Sequence, residues 1–98
     1  MNEVMFRKWL LDNRYNRKVA GDTISRLKKL EHSVNCDIDA EYKKDGFSYL
    51  LSLFENKGEN DRMSALVDNE LPVGKYHLST YKYALKIYLK YKNEEQNG

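Results

Sequence analysis

The sequence predicts an all-α protein, a compact bundle of four or five helices around one modest core. The 98 residues include one proline and five glycines, and the leucines, lysines and glutamates that favour helices are plentiful. Apolar residues recur at intervals of three and four, which places them along one side of a helix, and no segment alternates long enough to indicate a strand. These patterns predict a single domain over residues 1 to 93, followed by a polar tail or linker at residues 94 to 98.

Two asparagines predict where the first two helices begin. Asn2 precedes the first helix, and Asn16 precedes a second helix predicted over residues 17 to 34. Asparagine suits this position because its side-chain oxygen accepts a hydrogen bond from a free backbone N–H. The predicted inward residues of the two helices are Phe6, Trp9, Leu10, Ala20, Ile24, Leu27, Leu30 and Val34.

The middle of the chain predicts a polar loop, one apolar helix and a short connection. Residues 35 to 46 are polar and predict a loop with one or two helical turns. Asp45 then caps a third helix and Gly58 ends it, as glycine often does. Its apolar face consists of Phe47, Leu50, Leu51 and Phe54. One short helix follows at most, before Pro72 and Gly74 mark a connection.

The last helix is predicted to begin near Ser79 and to be amphipathic. Its expected inward residues are Tyr81, Leu85, Tyr88 and Leu89. At about 100° per residue, Lys82, Lys86 and Lys90 fall on one outward ridge.

Composition narrows the class of protein. No apolar run approaches the roughly 20 residues that span a bilayer, so a cytoplasmic protein is expected. The single cysteine, Cys36, cannot form an internal disulfide and suits a reducing compartment.

Motifs for catalysis and metal binding are weak, so no enzyme and no cofactor is expected. Glu41 and Lys43 resemble half of a metal-dependent nuclease site, but such a site needs a strand, and none is predicted. The acids from Asp37 onward lack the glycine and the final glutamate of a calcium loop. His32 and Cys36 are two candidate ligands, whereas a structural zinc site needs four.

Charge is segregated along the chain, although the net charge is only +2. Residues 1 to 34 carry eight Lys/Arg against four Asp/Glu, and residues 35 to 70 carry four against nine. Residues 71 to 93 carry five lysines and no acid. Such segregation can create a basic face that attracts polyanions on a nearly neutral protein.

Two helices present basic residues interleaved with hydroxyl groups on their outward sides. The candidate DNA contacts are Lys18, Ser25, Arg26 and Lys29 on the second helix, and Lys75, Ser79, Lys82, Tyr83, Lys86 and Lys90 at the last. Lysine and arginine suit phosphates, while Ser, Arg and Tyr side chains can reach groove edges. Asp22 interrupts the first of these stripes.

Two other interpretations stay open. The basic stripes are equally compatible with the solvated faces of an ordinary lysine-rich bundle. Alternatively, the tyrosine-rich last helix is a protein-interaction surface, or belongs to a phage-encoded regulator. Tyrosine is favoured in interfaces, and this alternative expects Tyr83, Ile87 and Tyr91 to be exposed together.

Three segments resemble the SAM-like N-terminal, core-binding domain of tyrosine recombinases and phage integrases, found also at the N-terminus of some restriction endonucleases. They are "FRKWLLDN", "NRKVAGDTISRLKKLE" and "LPVGKYHLSTYKYALKIYLKYK". The resemblance covers most of residues 4 to 92. It implies a non-catalytic module whose second and last helices grip double-stranded DNA, while an attached or separate domain performs any chemistry. The resemblance also implies that Thr80, on the last helix, contacts the DNA.

Overall fold

The computed structural model describes residues 1–97 and is all-α, as the sequence predicts. Within these residues there are six α-helices and no strand. The helices are α1 Glu3–Asp12, α2 Arg17–Val34, α3 Ile38–Asp45, α4 Ser48–Ser52, α5 Asp61–Ser64 and α6 Leu78–Asn97. A single 3₁₀ turn, Glu55–Gly58, lies between α4 and α5.

Both predicted N-caps are confirmed. The Asn2 side chain accepts a hydrogen bond from the Met5 N–H at 3.2 Å, and the Asn16 side chain accepts one from the Val19 N–H at 2.8 Å. The second helix has its predicted bounds, because Asn35 stops it in a left-handed conformation.

The segment predicted as a polar loop with one or two helical turns contains α3, a helix of eight residues and about two turns. Asp37 caps α3 by accepting the Ala40 N–H at 3.0 Å, and Gly46 ends the helix with a φ of 62°. Only Ile38 in α3 is buried, so the segment carries almost no apolar periodicity. Its helix is stabilised by caps rather than by an apolar face.

The predicted third helix is shorter than expected. It begins at Ser48, because the preceding Phe47 adopts a left-handed conformation with φ 71°, and α4 spans only five residues. Asp45 is the last residue of α3, and its carboxylate accepts a hydrogen bond from the Tyr49 N–H at 3.0 Å. Asp45 therefore stabilises the start of α4, although it is not the residue directly before it.

The 3₁₀ turn contains three consecutive left-handed residues: Asn56, Lys57 and Gly58 have φ values of 54°, 59° and 82°. Such conformations are uncommon outside glycine. The side chain of Asn60 stabilises the turn, because its amide donates to the carbonyls of Leu53 at 3.0 Å and Glu55 at 2.8 Å. These hydrogen bonds from Asn60 therefore stabilise the turn and, with it, the position of Lys57.

Alanine at position 58 is expected to destabilise the protein by about 1–3 kcal/mol, because the left-handed conformation disfavours any side chain. An added Cβ would also lie 2.8 Å from Leu78 Cδ2. Gly21→Ala is the matched control: it lies inside α2 with open space around it, and should stabilise by about 0.5–1 kcal/mol. Urea denaturation of both variants tests this, and equal effects at the two sites would contradict it.

The core centres on an aromatic cluster between α1 and α6. The ring of Phe6 lies 4.8 Å from Tyr88 and 5.1 Å from Tyr91, measured between centroids. Phe47 approaches Tyr88 from the other side at 6.2 Å. Helix α2 packs against both α1 and α6, so the three longest helices share this core.

Helix α6 buries a wider side than the sequence indicates. Its buried residues are Leu78, Ala84, Leu85, Ile87, Tyr88 and Tyr91, whereas Tyr81 and Leu89 are half-buried. The predicted inward side is therefore confirmed but incomplete: Tyr81 and Leu89 pack against the core, and the buried side also includes residues that were not predicted. Residues 94 to 97, predicted as a polar tail, continue the helix, and Gly98 lies outside the described residues. None of the helices within residues 1–97 has the length and apolarity needed to cross a bilayer.

Candidate nucleic-acid interface

The outward ridge predicted for the last helix exists. Lys86 and Lys90 are exposed and Lys82 is half-buried, opposite the buried side of α6. None of these three ammonium groups takes part in an ion pair within residues 1–97, whereas Lys92, on another side of the helix, bonds Glu95 at 3.0 Å. The ridge therefore keeps its positive charge available.

A pocket of about 390 Å³ opens where the ridge begins. It is lined by Phe54, Lys57, Gly74, Lys75, Tyr76, Leu78, Ser79 and Lys82. The pocket brings together three residues predicted from sequence, Lys75, Ser79 and Lys82. We call this cavity the lysine pocket.

Lys57 was missed because it lies far from α6 in sequence. The left-handed turn places it in the pocket, and the Gly74 N–H donates to the Lys57 carbonyl at 3.0 Å, joining the turn to the loop before α6. Asparagine and glycine on either side of Lys57 are residues that tolerate left-handed backbone. That pattern could have signalled the turn, but not its position beside Lys82.

Two predicted contacts have their donor groups already engaged. The Ser79 hydroxyl donates to the Tyr76 carbonyl at 3.0 Å, and the Thr80 hydroxyl donates to the His77 carbonyl at 2.7 Å. The backbone N–H of Leu78 also donates, to the Lys75 carbonyl at 3.1 Å. These three donors are therefore already engaged, and the lysines are the charged donors that line the pocket.

A second concave surface follows the ridge toward the C-terminus. This groove of about 550 Å³ is lined by Asn13, Lys86, Leu89, Lys90, Asn93, Glu94 and Asn97. The end of α1 thus supplies one wall, with Asn13 beside the two lysines. Glu94 adds one negative charge, so the groove is polar and only partly basic.

Tyr83 lies on the flank of the ridge, next to the turn between α1 and α2. Its side chain is 59% exposed. Burial raises the pKa of Tyr15, and the neighbouring Tyr83 hydroxyl raises it further. Tyr83 therefore borders the basic surface while contacting the body of the protein.

The basic stripe of α2 has one of its positive charges paired with an acid. Lys18 is 84% exposed and bonds Asp22 at 3.2 Å, which offsets part of its charge. Ser25 and Lys29 are exposed, and Arg26 is half-buried. Within residues 1–97, no hydrogen bond or ion pair connects this stripe to the ridge of α6.

The alternative interaction surface does not form as expected. Tyr83 is exposed, but Ile87 and Tyr91 are buried against the core. The two buried residues pack inside the bundle, where Tyr91 also contacts Trp9 at a ring distance of 5.5 Å. The three side chains thus form no shared exposed patch.

The weaker candidates for metal or redox chemistry lie apart from the lysine pocket. Burial raises the pKa of the Cys36 thiol to about 12, with nearby carboxylates adding to the shift, so the thiolate needed for metal binding is disfavoured. No group of three His, Cys, Asp or Glu residues suited to a metal ion occurs in the part of the chain that the structure describes.

No protein-family model, curated protein sequence or solved structure matches this chain. The likeness to the integrase N-terminal domain therefore stays a prediction from the sequence.

Proposed function

We propose that the protein binds duplex DNA without cleaving it, through the ridge of α6 and the lysine pocket at its start. One observation carries this proposal: five lysines follow one another along this side, and none has an ion-pair partner within residues 1–97. They are Lys57, Lys75, Lys82, Lys86 and Lys90. Residues 71 to 93, which contain four of these lysines, include no acid. The nearby carboxylates are Glu59, beside the pocket, and Glu94, in the groove.

The spacing of the ridge supports contact with a phosphate backbone. Lys82 and Lys90 are eight residues apart, which corresponds to about 12 Å along a helix. A row of flexible ammonium groups over that distance can contact several phosphates and release their counterions. Such contacts position a protein on DNA and give no sequence preference by themselves.

The finer proposal is a module of a restriction or recombination protein, with chemistry supplied by an attached or separate domain. The sequence resemblance to integrase N-terminal domains supports it. In that arrangement α6 provides the main contact and the α2 stripe a lesser one, because Asp22 offsets Lys18.

Lys86→Ala combined with Lys90→Ala is expected to weaken duplex binding while leaving the helical circular dichroism unchanged, since both side chains are exposed. With about five phosphate contacts, the slope of log K against log salt should be about −4.5, and the double variant should bring it to about −2.7. Fluorescence anisotropy with a labelled duplex, measured at several salt concentrations, gives both values.

The charge-matched control is Lys18→Ala with Lys29→Ala on α2, which also removes two positive charges. It is expected to weaken binding less than the α6 double variant. No binding at low salt, a slope near zero for the unmodified protein, or equal losses in the two variants would overturn the proposed surface.

A further inference from the structure

We infer that the lysine pocket binds an unpaired nucleotide through its phosphate and its base, either at the end of a DNA strand or as a free nucleotide. The inference deepens the proposed function, since a strand end is one source of such a ligand. It predicts a second mode of recognition that the ridge of α6 does not supply.

The dimensions of the pocket favour a small ligand. Its volume of about 390 Å³ falls within the range of about 300–1,000 Å³ typical of small-molecule sites. A double helix is far too wide to enter such a cavity, whereas one nucleotide is of suitable size. The ridge and the pocket therefore suit different parts of a nucleic acid.

The charge of the pocket favours a phosphate group. Lys57 comes from the 3₁₀ turn, Lys75 from the loop before α6 and Lys82 from the second turn of that helix. Three separate segments thus each contribute a lysine to the lining of one cavity. Since the neighbouring hydroxyl and N–H donors of α6 are engaged, these ammonium groups are the donors for the phosphate.

The apolar lining favours a base in addition to the phosphate. Phe54 and Leu78 belong to the core and present an edge to the cavity. Tyr76 at the rim is 91% exposed, so its ring is accessible on the surface. Aromatic side chains stack on unpaired bases with little regard to sequence, and Tyr76 can cover a bound base in this way.

Removing the negative charge of Glu59 should strengthen anion binding, whereas removing a lysine should weaken it. An added Cβ on Gly74, which lines the pocket with φ +76°, would lie 2.7 Å from Glu59 Oε1. The carboxylate therefore lies against the wall of the pocket. A negative charge in that position weakens the binding of any anion, so its removal should strengthen binding.

Titration of the whole chain with adenosine 5′-monophosphate, ribose 5-phosphate and inorganic phosphate tests the pocket. Chemical shifts of the amides of Lys57, Gly74, Tyr76 and Ser79 should move with saturation, and the nucleotide should bind more tightly than ribose 5-phosphate. Lys75→Ala should weaken nucleotide binding about tenfold or more, Glu59→Gln should strengthen it, and Lys43→Ala, an exposed lysine of α3, is the control.

A duplex with a 5′-phosphorylated single-stranded overhang identifies the source of the ligand. Stronger competition by the overhang than by free nucleotide assigns the pocket to strand ends, and the reverse assigns it to free nucleotides. The Lys86→Ala and Lys90→Ala double variant should keep nucleotide binding even where duplex binding is lost, which separates the two proposals. Equal affinity for nucleotide and ribose 5-phosphate, shifts away from the pocket, or no effect of Glu59→Gln would overturn the inference.

Discussion

Phe6→Ala is expected to lower the free energy of unfolding by about 3–5 kcal/mol, the range for removing a buried aromatic ring. Phe6 is fully buried and contacts two aromatic rings of α6. Because it joins α1 to Tyr88 and Tyr91, its loss leaves a cavity at the centre of the aromatic cluster. A domain of this size has a total stability of only about 5–15 kcal/mol, so the variant should be partly unfolded at modest urea concentrations.

Urea denaturation followed by circular dichroism measures this loss. Val4→Ala on the same helix is the matched control, because Val4 is 79% exposed and alanine favours helices more than valine does. Its stability should be unchanged or slightly higher. A loss below about 1 kcal/mol for Phe6→Ala would mean that the core does not centre on this ring.

Asp39→Ala is expected to destabilise the protein by about 2 kcal/mol, the scale of hydrogen bonds to a charged group. The Tyr88 hydroxyl donates to Asp39 Oδ1 at 2.6 Å, and the amino group of Met1 lies 3.1 Å from Asp39 Oδ2. Lys92 adds a third cation at 3.6 Å. One carboxylate of α3 thus connects the N-terminus to α6, and its removal leaves the Tyr88 hydroxyl without its acceptor.

The pH dependence of stability should reveal the same cluster. Partial burial alone would raise the pKa of Asp39, but the Tyr88 hydroxyl and the Met1 ammonium hold that pKa below its ordinary value of 3.8. A lowered folded pKa contributes stability that is present above 3.8 and is lost as the pH falls through the folded value. Asp39→Asn should therefore flatten the acid side of the stability profile.

The Met1 ammonium should act on the alkaline side. Burial opposes its charge, but hydrogen bonding and attraction to Asp39 raise its pKa above 8.0. Its contribution is present below 8.0 and is lost as the pH rises through the folded value. The measurement needs a chain whose amino group at Met1 is free.

The control for Asp39→Asn is Asp68→Asn, at an exposed loop position. An identical dependence of stability on pH in the two variants would rule out the role of Asp39.

Local signals in the sequence were enough to predict that the protein is all-α and where several of its helices begin or end. Asn2 and Asn16 cap their helices through contacts only three residues away, and such contacts depend on neighbouring residues alone. The ridge of Lys82, Lys86 and Lys90 follows from the helical repeat in the same way. The repeat did not reveal α3, because caps stabilise that helix and only one of its residues is buried.

The sequence by itself determined the all-α class, the bounds of α2 and the outward ridge of α6, because each depends on residues within a few positions of one another. Only the tertiary structure decided which lysines line one cavity. A left-handed turn, joined by the Gly74 N–H to the loop before α6, brings Lys57 into the same cavity as Lys82. Packing also decided that Ile87 and Tyr91 are buried. The burial of these two residues depends on helices α1 and α2, which lie far from α6 in the chain and next to it in the fold.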